Sequence, residues 1–162
     1  MAIQNPQELF YYDLCAMYDG EQKLALLLPL LAQEAQIPEV KEAFSEHHQQ
    51  TLLHIVNLER CFQIAGKQQM PLENHTFAGL RKDHDVFLEQ QPSQAELMMF
   101  ALNAAYKSEF LEMAAYNSLI DAATCLGMRD CLPLLQENLQ QEQETAKKLA
   151  VLIHKFALLT VK

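Results

Sequence analysis

Three glutamates stand where a helical register calls for hydrophobes. Projected at 100° per residue, Met98, Leu102, Ala105, Glu109, Met113, Tyr116, Ile120 and Ala123 fall within about 40–60° of one direction, with Glu109 in the middle. The stripe Phe10, Leu14, Met17, Glu21, Leu24, Leu28 and Leu31 repeats the pattern, as does Cys131, Leu135, Glu142, Ala146, Leu149, Ile153 and Phe156, which has Asn138 and Thr145 at its edge. A fourth stripe, Val40, Phe44, His47, Thr51, Ile55, Leu58 and Phe62, carries an imidazole instead, with Gln50 and His54 on its shoulder. An unpaired carboxylate in an apolar environment is costly enough that it normally takes up a proton, finds a partner or binds a metal. Carboxylate and imidazole together suit iron or manganese, and a dinuclear site would neutralise acids that otherwise repel one another. The candidate ligands are Glu21, Glu109, Glu142, His47 and His54, with Glu112 one turn from Glu109 as a further or supporting group. The alternative is that each glutamate reaches a bundle edge or bonds a tyrosine hydroxyl, with Tyr18, Tyr106 and Tyr116 within reach.

These residues need four long helices to hold them. Asn5-Pro6 is a helix start, with Asn as the cap and Pro at the first helical position, and the first helix is expected over Pro6 to Gln36, with a kink near Pro29. The second is expected over Pro38 to Ala65, stopped by Gly66. Residues 66–93 are polar and contain Pro71 and Pro92. Their length suits a crossover along the bundle, carrying a short helix at Thr76 to Leu88. His75, Lys82, Asp83, His84 and Asp85 there read as a solvated face. Ser93 with Glu96 is a capping box opening the third helix, which runs to about Leu126 before Gly127. The fourth is expected from Arg129 to the carboxyl terminus, interrupted around Pro133. The chain is thus expected to be all-α and one domain over residues 1–162, a ferritin-like four-helix bundle with a long crossover between helices 2 and 3.

Composition narrows the field further. Of 162 residues, 50% are apolar and only four are Gly, which favours helices over a sheet. Twelve Lys and Arg against twenty-one Asp and Glu give a net charge of −9, so nucleic acid is not an expected partner. No stretch has the length or pattern of a membrane span or signal peptide, and a cytoplasmic location is expected. Cys15, Cys61, Cys125 and Cys131 then read as small apolar residues in a reducing compartment.

Four segments, PQELFYYDLCAMYDGEQKLALLLPLLAQEA, AFSEHHQQTLLHIVNLE, KSEFLEMAAYNSLIDAATCLG and LLQENLQQEQETAKKL, resemble the YciE/YciF family of ferritin-like bacterial proteins. The likeness covers the chain from about Asn5 to Leu152. It implies a ferritin-like bundle, a homodimer, a link to stress responses and no established activity. Tyr18, Asp19, Glu21 and Leu24 match the family pattern in the first helix. In the second, the usual His-Leu-Glu-Glu-Thr becomes His47-His48-Gln49-Gln50-Thr51, placing Gln50 at a usually acidic position. In the third, Glu109-Phe110-Leu111-Glu112 keeps both acids of the family pattern, and in the fourth Gln141 replaces the acid before Glu142. These departures weigh against metal occupancy. Two functions follow: a structural or interaction module with a vestigial or weak dimetal site, or a functional di-iron or di-manganese protein with oxygen or peroxide chemistry. The sequence assigns no catalytic residue.

Overall fold

A computed structural model describes residues 3–160 as five α-helices: α1 (Pro6–Glu34), α2 (Pro38–Ile64), α3 (His75–Leu88), α4 (Gln94–Cys125) and α5 (Leu132–Thr160). The described residues contain no strand, and none of their helices is long and apolar enough to cross a membrane. The expected end of the last helix, Val161 and Lys162, lies outside the described residues.

Local chemistry sets the boundaries. The Asn5 side chain accepts from the Glu8 N–H (2.9 Å), and Ser93 accepts from that of Glu96 (3.4 Å). Gly66 (φ 63°) and Gly127 (φ 71°) take the left-handed conformation just beyond α2 and α4, which suits a residue without Cβ. α1 is one helix through Pro29. α5 is not interrupted at Pro133 as expected: a 3₁₀ turn, Arg129–Cys131, precedes it, so Pro133 falls in the first helical turn, where its missing N–H costs little.

Short connections make hairpins of α1 with α2 and of α4 with α5, and these two interfaces carry most of the interhelical packing. The hairpins meet along two seams, α1 with α4 and α2 with α5. Crossover helix α3 lies over the first. Its cap, Asn74, is pinned to α1: the backbone N–H donates to Asp19 Oδ2 (2.7 Å) and the side-chain amide to the Ala16 carbonyl (2.9 Å).

His84 departs from its expected place on a solvated face. It is buried, with Nε2 2.8 Å from Glu34 Oε2, and joins α3 to the last turn of α1. The cause is its position in the stripe Phe77, Leu80, His84 and Phe87, the apolar side of α3. His75, Lys82, Asp83 and Asp85 are exposed.

Phe77 packs so closely on Gly20 that a Cβ there would lie 2.9 Å from its ring. Gly20→Val should therefore destabilise the protein by roughly 1–3 kcal/mol through overpacking. A fall in the urea midpoint, with α3 amides losing hydrogen-exchange protection first, is the expected result.

The interior is not one apolar core. Leu24, Leu28, Val40, Phe44, Leu102 and Leu149 belong to a cluster at one end, and Leu14, Met17, Leu58, Phe62, Leu119 and Leu135 to another. Between them every long helix contributes buried polar groups: Glu21; His47, Thr51 and His54; Ser108, Glu109 and Glu112; Asn138, Glu142 and Thr145.

Candidate metal centre

All six candidate ligands meet in this polar layer. Glu21, Glu109, Glu112 and Glu142 are 0% exposed and His47 and His54 only 1%. α1 supplies Glu21, α2 both imidazoles, α4 Glu109 and Glu112, and α5 Glu142. Glu112 is thus a full member of the layer, since the buried arc of α4 is wider than the stripe centred on Glu109. Asn138 (0% exposed) and Thr145 (5%), placed at a stripe edge by the sequence, are buried too, because α5 packs against both α4 and α2.

The donor atoms form two groups, each with its ligand atoms within 4.8 Å of one another: Glu21, His54 and Glu142, and His47, Glu109, Glu112 and Glu142. Glu142 belongs to both. His54 Nδ1 lies 3.0 Å from Glu142 Oε1 and 3.3 Å from Glu21 Oε1, and His47 Nε2 lies 3.3 Å from Glu109 Oε1. These are ion-pair distances without hydrogen-bond alignment. Both oxygens of Glu109, Glu112 and Glu142, one oxygen of Glu21, both nitrogens of His47 and Nδ1 of His54 have no hydrogen-bond partner. Buried polar atoms are rarely left so. Their lone pairs converge on common points instead, and a divalent cation would satisfy them together.

The surrounding groups are well bonded by comparison. The Tyr116 hydroxyl donates a short hydrogen bond to Glu21 Oε1, and Asn138 Nδ2 donates to the Tyr116 oxygen (3.0 Å) and to the His54 carbonyl (3.3 Å). Asn57 Nδ2 donates to Asn138 Oδ1 (2.8 Å). Of the tyrosines considered from sequence, Tyr116 is the one on the cluster, while Tyr18 donates to Glu59 (3.0 Å).

Gln141 and Gln50 have definite places. Gln141 Oε1 lies 3.0 Å from His54 Nε2 and accepts its N–H, leaving Nδ1 turned to the carboxylates. A metal-ligating histidine is normally held in this way by an acceptor on its other nitrogen. Thr145 Oγ1 donates to Gln50 Oε1 (2.9 Å) across the bundle. Gln50 and Thr145 therefore bond to one another, and Gln141 orients a candidate ligand.

Without metal, the layer is governed by burial. Burial, then the charge of Glu142, pushes Glu109 up to about 11. Glu112 is raised well above the ordinary carboxyl range and Glu21 is raised, again by burial first. Burial pulls His47 down to about 4. His54 moves the other way, to about 10, because Glu21 and Glu142 outweigh the burial that opposes its charge. Glu142 is held below its ordinary value, burial notwithstanding, by His54 and then His47. At neutral pH the metal-free layer holds a Glu142–His54 ion pair, a neutral His47 and a protonated Glu109.

The four cysteines are free. Cys15, Cys61 and Cys131 are buried as expected of small apolar residues, whereas Cys125 is exposed.

Known proteins resemble this chain along nearly all of its length. Residues 5–160 match a family described as a domain of unknown function, DUF892. Protein YciF of Escherichia coli (strain K12) is 25% identical over 150 residues, 92% of this chain and 90% of that protein. The crystal structure of the E. coli stress protein YciF aligns with a TM-score of 0.90 at 24% identity, covering 96% of this chain and 98% of that one. YcfI from Rhodopseudomonas palustris aligns with a TM-score of 0.87 at 26% identity, covering 91% and 94%. The shared architecture is thus a property of both relatives, while function has to be argued from the site.

Proposed function

The chain belongs to the DUF892 family, and we propose that this member is a ferritin-like protein whose polar layer binds two divalent metal ions, iron or manganese. The observation that carries the reading is the donor set: four carboxylates and two imidazoles, buried together with most of their donor atoms free of hydrogen bonds. Dinuclear carboxylate bundles use the same total, a glutamate from each of two helices and a Glu-x-x-His from each of the others. Here both imidazoles come from α2 and the added carboxylate, Glu112, from α4. This complete count favours a working site over a vestigial one.

Glu21, His54 and Glu142 would hold one ion and His47, Glu109 and Glu112 the other, with Glu142 shared. Iron or manganese would supply one-electron chemistry toward oxygen or peroxide when bound. The chain's own groups set the conditions: the two apolar clusters exclude water, Gln141 fixes the ring of His54, and Tyr116 holds one oxygen of Glu21. The stress association of the E. coli relative is consistent with a protein that handles such metals. A homodimer is part of this proposal, with the exposed row Leu52, Leu53 and Val56 on α2 available to it.

Elemental analysis of protein purified from its own host, grown with iron and manganese, tests the metal reading. Two ions per chain are expected, one for each ligand group. Less than about a tenth of an equivalent, unchanged in Glu109→Ala, would overturn it.

A further inference from the structure

A site with every ligand at most 1% exposed needs a way in. The two hairpin interfaces are the close-packed ones, which leaves the seams between hairpins. The α1/α4 seam is roofed by α3, whose Phe77 presses on Gly20, the neighbour of Glu21. Among the described residues no α-helix lies over the α2/α5 seam; the 3₁₀ turn Arg129–Cys131 touches α2 at the end of the seam near Cys61.

That seam is closed by polar pairs in antiparallel register: Asn57 with Asn138, His54 with Gln141, Gln50 with Thr145, Glu46 with Lys148 and Glu39 with Lys155. The middle pairs lie at the level of the cluster. Three residues before Gln50 is His47, and three before Thr145 is Glu142; because the helices run antiparallel, a candidate ligand of the second group lies one turn to one side of this bond along the bundle and the shared one lies one turn to the other. Gln50 and Gln141 are partly exposed and form the outer wall. The Gln50–Thr145 bond is neutral. It can exchange for bonds to water without stranding a charge, and its net contribution to stability is small. Farther along the seam, Glu39, Glu42 and Glu46 line a surface groove with Lys148; Glu39 and Glu46 are paired with Lys155 and Lys148, and Glu42 leaves the rim net acidic, which favours the approach of cations.

From this placement we infer that divalent cations reach the buried layer through the α2/α5 seam, with the Gln50–Thr145 and Gln141–His54 bonds as its gate. The inference rests on the metal-binding reading above. It gives Gln50, Thr145 and Gln141 a common task, letting a cation pass and closing behind it.

The test is the rate at which metal-free protein takes up Co(II), followed by visible absorbance in a stopped-flow instrument, with the final stoichiometry measured separately. Thr145→Val keeps the side-chain shape and removes the donor, and uptake should quicken roughly fivefold, the scale of one net hydrogen bond. Gln50→Leu with Thr145→Val makes the wall apolar and should slow it. Lys148→Gln, a surface change that leaves the fold intact, should speed uptake at low salt and lose that effect at high salt. Phe77→Leu, under the opposite seam, should leave the rate unchanged.

Full stoichiometry with the wild-type rate in the Thr145 variants and in Lys148→Gln would overturn the route, as would faster uptake in Phe77→Leu alone. If the wild-type protein binds no Co(II), even when refolded in its presence, the metal-binding reading itself fails, and the gate with it.

Discussion

Glu142→Ala should abolish binding of both metal ions, whereas Glu21→Ala should leave one. Glu142 is the residue common to the two ligand groups. Removing it leaves Glu21 with His54 on one side and His47, Glu109 and Glu112 on the other. Loss of a group that merely orients a metal ligand typically costs 10–100-fold in affinity, so loss of a shared ligand should cost at least about a hundredfold at each position. Glu21→Ala leaves the four-ligand group intact. Titration of metal-free protein with Mn(II) or Co(II), read by equilibrium dialysis, should give two ions for the wild type, one for Glu21→Ala and none for Glu142→Ala. Equal losses in both variants would show that the ligands act as one site.

Metal-free protein should gain stability on acidification from pH 8.5 to 6.5. Glu109 has its folded pKa raised from 4.5 to about 11 and His54 from 6.5 to about 10. In this window both hold protons in the folded chain that they lose on unfolding. Raising the pH therefore favours the unfolded state and lowering it favours the fold. One fully shifted group is worth about 1.4 kcal/mol per pH unit, so two units correspond to roughly 3 kcal/mol from one such group. In a domain of this size that is a rise of roughly 6–12 °C in Tm.

Below pH 6.5 the gain should become shallower. His47, depressed to about 4, must then take up a proton on unfolding that it resists in the fold, which offsets part of the continuing gain from the raised Glu109 and Glu112. Glu142, held low by His54, adds a loss only below the ordinary glutamate range. Calorimetry across pH 5–8.5 on chelator-treated protein reads this directly. A Tm that falls between pH 8.5 and 6.5 would mean that the carboxyls are not held protonated.

Much of the architecture is written locally in the chain. Asn5, Ser93, Gly66 and Gly127 mark helix ends by their own backbone chemistry, and the extra helix expected at Thr76 to Leu88 is observed as His75–Leu88. Glu21, Glu109 and Glu142 stand out because period alone places an acid among hydrophobes. What was not legible depends on register between distant segments. Gln50 meets Thr145 across 95 residues and His54 meets Gln141 across 87, and nothing in either neighbourhood announces the pairing. Each substitution looked like a lost ligand when read on its own helix. His84 is a different case: its stripe with Phe77, Leu80 and Phe87 was visible, and the surrounding charges of Lys82, Asp83 and Asp85 masked it.

The ligands are divided between the hairpins in a way that bears on assembly. α1 and α2 bring one carboxylate and both imidazoles, while α4 and α5 bring three carboxylates and no imidazole. Neither hairpin owns a complete coordination sphere, and the three acids of the second would repel one another if they ionised alone. An ion would thus have little hold on a half-assembled chain and would not serve as a nucleus for folding. Once bound it would act as a late rivet between two preformed halves, lengthening the life of the finished bundle more than hastening its formation.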